Sequence, residues 1–327
     1  MKNKNIVIAG GTGFLGQEMI RYWCKSNDLV ILTRNQANAR NNRNQYTSIG
    51  HEELNSVCFI QWDGKSLGDW SHHLNGADLI INLTGRSVNC RYTKKNKTEI
   101  LFSRLNAVNV IGEAIRQCQQ PPPAWINASS ATIYRDANDR PQDEYTGEFH
   151  DGFSVDVCRA WEKKFFDQAV PATRKVALRM AITLGPGGVL IPYFNLLKFG
   201  LGGRQGDGHQ MFSWVHAEDS CRMIEWIEEH DKLEGIINCC SPNPVSNREL
   251  MTTLREVTGR KFGLPAFKWM LRVGAALIGT ETELVLKSRW VLPTRILETG
   301  FQFNHPHLKE ALTDIISRVP RRQYHLF

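Results

Sequence analysis

The 327-residue chain has no run of 18 consecutive apolar residues, the length that a membrane-spanning helix requires. Its first residues also lack the charged, apolar and small-residue regions of a secretory signal. None of the eight cysteines has the C-x-x-C spacing of a redox or zinc motif, and we expect reduced thiols. These absences predict a cytoplasmic protein with neither a membrane partner nor a metal site.

Positive charge is in modest excess, at +7, but the 40 lysines and arginines are dispersed and form no long basic block. Nucleic-acid-binding proteins commonly concentrate such residues on one face or in a tail. We therefore expect no nucleic acid partner. A site for a polyanionic cofactor explains the excess more simply.

The first half of the chain alternates short apolar runs with helical patterns. The strand-like runs are "NIVIAG", "DLVILTRN", "SVCFIQWDG", "ADLIINLTG", "AWINASSATIY" and "RKVALRMAITLGPGG". Apolar strands interleaved with helices bury both faces of a parallel sheet. The predicted fold class is therefore α/β, a doubly wound parallel sheet of the Rossmann type.

The chain is predicted to fold into two parts, one that binds the cofactor and one on the substrate side. Residues 1–184 and 212–241 form the cofactor-binding Rossmann domain, to which the chain returns through "FSWVHAED" and "GIINCC". Residues 185–211 and 242–327 form a smaller, discontinuous C-terminal part on the substrate side. Within it, "GLGGRQGDGHQ" must be a mobile or tightly turning loop.

The turn "GGTGFLG" follows the first strand and opens the first helix. Its glycines permit unusual dihedral angles and a close approach of the backbone to a pyrophosphate, while the helix N-terminus supplies free N–H donors. The strand before the turn and the helix after it give the motif its confirming context. The residues predicted to bind a dinucleotide here are Gly10, Gly13, Phe14, Leu15 and Gly16.

The end of the second strand indicates which dinucleotide is bound. NAD-preferring sites place an acid there for the ribose 2′-hydroxyl, whereas this chain has Thr33 and Arg34. An arginine can pair with a 2′-phosphate, and Arg40 and Arg43 add to the positive field. The prediction is NADP, with a solvated loop arginine as the alternative.

Two further strand ends are candidate cofactor contacts. Asp63 in "QWDG" ends the third strand and is a candidate partner of the adenine amino group. The backbone of Leu83, Thr84 and Gly85 in "NLTG" ends the fourth strand and is expected to pass beside the cofactor. Either stretch is equally consistent with a simple turn.

Four stretches together resemble the extended short-chain dehydrogenase/reductases, the group of sugar-nucleotide epimerases and dehydratases; they are "GGTGFLG", "NLTG", "SSATIY" and "FSWVHAED". Others resemble an atypical epimerase-like branch that carries a small C-terminal domain of uncharacterised role; they are "GRSVNCRYTKKNKTEILFSR", "VCRAWE", "GLGGRQGDGHQMFSWVHAED", "NCCSPNPVSNREL" and "VLPTRILETGFQF". The resemblance covers nearly the whole chain and implies NADP binding with an unidentified substrate.

In the superfamily that the chain resembles, catalysis uses a Ser or Thr, a Tyr, and a Lys four residues after the Tyr. The resemblance implies that Ser130 positions the substrate oxygen. No tyrosine here is followed four residues later by lysine, and the helix "VCRAWE" places Cys158 and Glu162 at the matching positions. Cys158 is a candidate proton donor, although an adjacent acid would raise the pKa of a thiol. The alternative is a helix residue that merely faces the cofactor.

Other residues are candidates for the missing chemistry. Tyr134 is a possible proton donor or a strand-end aromatic, and His216 with Asp219 is a possible acid–base pair unless Asp219 caps the next helix. Two further sets are candidate substrate contacts: the basic run of Arg91, Lys94, Lys95 and Lys97, otherwise a solvated helix face, and the loop residues Arg204 and Gln210, which would act as a lid.

Together these patterns favour an NADP(H)-dependent oxidoreductase or epimerase that acts on a carbonyl or hydroxyl group of a small, sugar-nucleotide-like substrate, with a possible homodimer. The alternative is a catalytically silent NADP-binding sensor or scaffold, because the Tyr/Lys proton relay is missing.

Overall fold

The computed structural model describes residues 1–37, 56–267 and 287–325. Its strands are β1 (Asn5–Ala9), β2 (Asp28–Thr33), β3 (Val57–Gln61), β4 (Leu79–Asn82), β5 (Ala124–Ser130), β6 (Arg174–Met180), β7 (Ile182–Leu184), β8 (Met211–Phe212), β9 (Trp214–His216), β10 (Gly235–Cys239) and β11 (Val245–Ser246). Its helices are α1 (Phe14–Trp23), α2 (Lys94–Gln117), α3 (Phe153–Phe166), α4 (Leu190–Lys198), α5 (Ala217–Glu229), α6 (Asn247–Val257), α7 (Thr294–Glu298) and α8 (Leu308–Ser317).

Seven strands form one parallel sheet in the order β10-β6-β5-β4-β1-β2-β3. Because side chains alternate along a strand, Ile6 and Ile8 of β1 enter the core on the face covered by α1 and α5. Val7 and Ala9 enter the opposite core, which α2 and α3 cover. The predicted doubly wound α/β fold is confirmed, and the strand order reverses between β1 and β4.

The return of the chain to the sheet is also confirmed. β10 pairs in parallel with β6 at the edge of the sheet, and α5 packs beside α1. The sequence "GIINCC" is therefore a seventh strand, with Ile237 and Cys239 buried in the same core as β1.

A second core lies among α4, α6 and α8, where Leu190, Phe194, Leu250 and Leu312 are buried. Two small sheets accompany it, β8 with β11 and β7 with β9. The predicted domain boundaries stay a prediction. Among the described residues, no helix has both the length and the apolar character needed to cross a bilayer.

The glycine-rich loop has three glycines with positive φ, Gly200, Gly206 and Gly208, in agreement with the expectation of a tightly turning loop. The amide of Gly203 donates to the carbonyl of Leu264 at 3.0 Å, and that of Gly206 donates to Ala266 at 2.8 Å. Ala266 in turn donates to the carbonyl of Arg204 at 2.9 Å. The loop is thus fixed by backbone hydrogen bonds to the segment that follows α6.

Candidate functional site

The turn after β1 packs directly against the turn after β4. Gly10 has a φ of +78°, a conformation that favours glycine. A Cβ on it would lie 3.1 Å from the carbonyl carbon of Leu83 and from the nitrogen of Thr84. The two segments predicted to contact the cofactor therefore lie side by side at the carboxyl edge of the sheet, where the strand order reverses.

The N-terminus of α1 is open at this edge. A Cβ on Gly16 would overlap the backbone of Gly11, so glycine at both positions lets the helix start close to the turn. Gly13 occupies the cap position without a side-chain hydrogen bond, and the first turn carries no acid. The N–H groups of the first turn of α1, with the partial positive charge of the helix N-terminus, thus remain available to bind an anion.

The side chains of Phe14 and Leu15, in the first turn of α1, pack against the protein at the carboxyl edge of the sheet. The ring of Phe14 packs against the loop after β7, where a Cβ on Gly188 would lie 3.0 Å from it. Leu15 packs against the core beneath the sheet. These two positions can therefore offer a cofactor their backbone rather than their side chains.

At the end of β2, Thr33 is buried and Arg34 is exposed. The side chain of Gln61 donates from Nε2 to the carbonyl of Arg34 at 2.6 Å, which fixes the backbone there. The guanidinium of Arg34 has no hydrogen bond or ion pair to any described residue. Arg40 and Arg43 lie outside the described residues.

The other two predicted contacts behave differently. Asp63 is exposed, and its Oδ1 accepts the amides of Lys65 and Ser66 at 2.7 and 2.9 Å, which lowers the pKa of its carboxyl group. The Oγ1 atom of Thr84 is buried and has no hydrogen-bond partner. This unsatisfied hydroxyl group beside Gly10, together with the uncapped start of α1, fits a bound dinucleotide.

Ser130 lies at the end of β5 and begins a chain of three side chains. Its Oγ accepts hydrogen bonds from the amide of Thr132 at 3.2 Å and from the hydroxyl of Thr132 at 3.0 Å. The Oγ1 of Thr132 lies 3.5 Å from the Sγ of Cys158. Cys158 is buried, and that burial raises the pKa of its thiol. The structure thus brings two predicted catalytic residues together through Thr132, which sequence reasoning missed.

Glu162 does not act on Cys158 as a bare acid. Its carboxylate receives two hydrogen bonds from the guanidinium of Arg179, at 2.9 and 2.8 Å, and one from the hydroxyl of Ser129 at 2.6 Å. The ion pair is buried on both sides. Glu162 is therefore largely neutralised by Arg179, a partner on β6 that the sequence pattern did not indicate.

Tyr134 belongs to the same buried network. Its hydroxyl donates to Oδ1 of Asn238 at 2.9 Å and accepts from Arg179 at 2.9 Å. Burial raises the pKa of Tyr134 to about 12, against the lowering effect of Arg179. With its ring 1% exposed, Tyr134 is held by structural partners, which favours the alternative of a strand-end aromatic.

Comparisons with known proteins agree with this geometry. Residues 6–240 match the model of the NAD dependent epimerase/dehydratase family. The chain belongs to this family. Residues 266–315 match a second model, described as a domain of unknown function (DUF1731).

The similarity extends over whole chains. The epimerase family protein YfhF of Bacillus subtilis is 30% identical over 96% of this chain and 98% of its own length. A crystal structure of the human epimerase family protein SDR39U1 (isoform 2) with NADPH has a TM-score of 0.80, with 25% identity over 96% of this chain and 99% of that one. The structure of the nucleoside-diphosphate sugar epimerase of Corynebacterium glutamicum shares the fold, with a TM-score of 0.71 and 22% identity. The match covers 97% of this chain and 59% of the epimerase chain. These findings support NAD(P) binding.

The basic run lies at the start of α2. Arg91 and the three lysines are exposed, and Lys97 places its Nζ 5.1 Å from the centre of the Phe153 ring at the start of α3. Thr93 caps the helix by accepting from the amide of Asn96. Substrate contact by Arg91 stays a prediction.

The two predicted lid residues differ in exposure. Arg204 is exposed, and its Nη1 lies 3.5 Å from the carbonyl of Asp207. Gln210 is buried, donates to the carbonyl of Gln205 at 2.9 Å and accepts the amide of Asn247. Gln210 therefore holds the loop to the start of α6, while only Arg204 presents its side chain outward.

His216 lies in a polar cluster at the start of α5. It caps the helix itself, because its Nδ1 accepts the amide of Glu218 at 3.2 Å, and its Nε2 lies 3.1 Å from Asp314 on α8. Its ring lies against that of His305. The pKa of His216 is lowered to about 4 by burial and by His305. Arg318 also contacts His216 and pairs with Asp314, which favours a structural role.

The alternative that Asp219 caps α5 is wrong, because His216 occupies the cap position. Its buried carboxylate accepts the amides of Asn304 and His305, at 2.8 and 2.9 Å, and pairs with Arg222 at 3.0 Å. Asp219 therefore fixes the segment before α8 against the Rossmann domain.

Sequence reasoning also missed Arg104. It is half-buried on α2, one helical turn after the buried Ile100 and one turn before the buried Ala107 and Val108. An arginine within an apolar stripe was the available signal.

Proposed function

We propose that the chain binds NADP(H) and transfers hydride at the hydroxyl or carbonyl carbon of a small substrate, as an oxidoreductase or within an epimerisation. Arg34 carries the choice of cofactor. Its guanidinium stands without a partner among the described residues, where an NAD-selective site places an acid. The NADPH bound to the human relative of known structure supports the same choice.

The residues of the carboxyl edge divide the work of binding. The open first turn of α1 offers amide donors to the pyrophosphate, and the buried hydroxyl of Thr84 offers one more polar group. A bound nicotinamide would supply or accept the hydride. Ser130 would orient the substrate oxygen, since the acceptor bonds from Thr132 leave its own hydrogen available.

Fluorescence titration with NADPH and NADH tests the cofactor assignment. We expect NADPH to bind more tightly, and Arg34→Asp to weaken NADPH binding by about 10- to 100-fold, the loss expected for a hydrogen bond to a charged group. Arg321→Asp changes the net charge equally in the exposed C-terminal turn and should leave the affinity unchanged. Equal affinities for the two cofactors, or equal losses in the two variants, would refute the assignment.

One observation favours the second candidate, a silent NADP-binding sensor. Tyr134 is committed to Asn238, and the sequence position of the usual lysine holds Glu162, which is paired with Arg179. NADPH oxidation, followed by absorbance with a panel of carbonyl compounds that includes sugar nucleotides, separates the candidates. Turnover that Ser130→Ala impairs supports the enzyme, whereas tight binding without turnover on any compound supports the sensor.

A further inference from the structure

Arg104 is a half-buried cation that pairs with no carboxylate among the described residues. Its Nη1 donates only to backbone carbonyls, those of Arg86 at 3.1 Å and Ile100 at 2.8 Å. It forms no ion pair with any described residue. Burial lowers the pKa of Arg104, and among the described residues the ionisable side chains of Cys158 and Tyr92 oppose this effect. A charge that is partly withdrawn from water and has no counterion is costly, so this arrangement favours an anion beside Arg104.

The surroundings of Arg104 place it between the cofactor edge and α3. A Cβ on Gly85, in the turn after β4, would lie 2.9 Å from its Cζ, so glycine leaves room for the guanidinium. On the other side its Cζ lies 5.0 Å from the ring centre of Trp161. Trp161 follows Cys158 by three residues on α3, so the two side chains are neighbours on that helix.

Cys158 in turn faces several groups that bear on its ionisation. Burial and the charge of Glu162 disfavour a thiolate, while the hydrogen bond between Thr132 and Cys158 and the charges of Arg104 and Arg179 favour it. Arg179 already forms the ion pair with Glu162. Arg104 is therefore the positive charge near Cys158 that no carboxylate cancels.

We propose that Arg104 is a positioning residue that supplies the positive charge of the missing lysine. It stabilises the thiolate that forms at Cys158 when a proton passes from Cys158 through Thr132 and Ser130 to the substrate. This inference rests on the proposed hydride transfer. In the direction of carbonyl reduction, the carbonyl carbon gains a hydride and its oxygen takes the proton of the Ser130 hydroxyl.

The chain of hydroxyl groups then restores that proton. The proton of Thr132 Oγ1 moves to Ser130 Oγ, along the 3.0 Å bond, and the proton of Cys158 Sγ moves to Thr132, across 3.5 Å. The S–H bond is the one that breaks without replacement, leaving a thiolate beside the guanidinium. Solvent returns this proton after the product leaves.

Titration of the thiolate absorbance in the ultraviolet tests the role of Arg104 without a substrate. Subtracting the titration of Cys158→Ala isolates Cys158 from the other cysteines. We expect the thiolate to form at a higher pH in Arg104→Gln than in the unaltered chain, and Arg104→Lys to restore most of the difference. Arg116→Gln, on the same helix and bonded to Gln168, is the matched control and should change nothing. An unshifted Arg104→Gln, or an equal shift in the control, would overturn the inference.

Thr132→Val tests the route of the proton. We expect it to abolish NADPH oxidation with unchanged NADPH affinity, and Thr132→Ser to retain the activity, because serine keeps the hydroxyl. Full activity in Thr132→Val would overturn the relay. If the unaltered chain binds NADPH but none of the carbonyl compounds leads to its oxidation, the proposed function is refuted instead. The thiolate titration would still decide the role of Arg104.

Discussion

Replacing Glu162 by glutamine removes one charge from a buried pair and leaves the other. The side chains of Glu162 and Arg179 are 9% and 3% exposed and share two hydrogen bonds. Glutamine keeps the volume and can still accept from Ser129, but Arg179 then has no anion. Breaking a buried pair in this way costs about 3–5 kcal/mol, which is a large part of a typical total stability of about 5–15 kcal/mol.

The double variant distinguishes a paired charge from simple packing. Arg179→Met alone leaves the carboxylate of Glu162 buried with only the hydroxyl of Ser129 as a donor, so it should cost about as much as Glu162→Gln. Combining the two changes removes both charges at once. We expect the double variant to lose roughly as much stability as either single variant, well short of their sum, because the coupling between contacting residues is not additive.

Urea denaturation followed by circular dichroism measures these differences. Glu148→Gln is the control, because its pair with Arg135 is exposed and screened by solvent, so that its loss should change the stability little. Single variants that lose less than the control, or a double variant whose loss equals the sum of the singles, would refute the account of Glu162 as a neutralised group. In that case its carboxylate would be available to Cys158, and the sequence expectation for it would stand.

Two further predictions follow from the geometry. Gly16→Ala should lower the free energy of unfolding by about 1–3 kcal/mol and weaken NADPH binding, because its Cβ would overlap Gly11 and push α1 outward. Gly68→Ala should be tolerated, since its Cβ would lie 3.6 Å from the nearest atom. Equal effects of the two variants in urea denaturation and NADPH titration would contradict this. Burial lowers the pKa of His216 to about 4, so the folded chain binds fewer protons than the unfolded chain between pH 6.5 and 4. The free energy of unfolding should therefore fall by up to about 3 kcal/mol as the pH drops through that window. His216→Asn can still cap α5 and should flatten this dependence when urea denaturation is repeated at a series of pH values.

The strands of the central sheet were predictable because each is a short, nearly continuous apolar run. Such runs are typical of parallel strands that are buried on both faces, and β1 to β6 lie within the six runs that indicate them. The small sheets were not predictable. β8 and β11 have two residues each, too few for any period to appear, and their pairing depends on long-range packing. The homodimer and the cytoplasmic location stay predictions.

The site was predictable where the motif is local and unpredictable where charge crosses between elements. The glycine turn specifies its own backbone, so Gly10 and Gly16 lie where their spacing indicates. Glu162 was expected to act on Cys158 because the two share one helix. The neutralising Arg179 comes from β6, next to Ser129 on β5, and no local pattern connects an acid on a helix to a base on a later strand.

Two arginines explain how this site can lack the usual lysine. Arg179 and Glu162 cancel each other beneath Ser129, so the acid at the lysine position adds little net charge to the region around Cys158. Arg104 enters from α2 without a carboxylate of its own. Arg104 adjoins the buried stripe of α2, and a partly buried charge without a counterion is destabilising. If the positive charge were dispensable, an apolar residue would therefore occupy this position at lower cost. The arrangement therefore favours an anion that forms beside Arg104 during function. Of its two ionisable neighbours, Cys158 and Tyr92, Cys158 acts on Arg104 more strongly and is the one linked to Ser130 through Thr132.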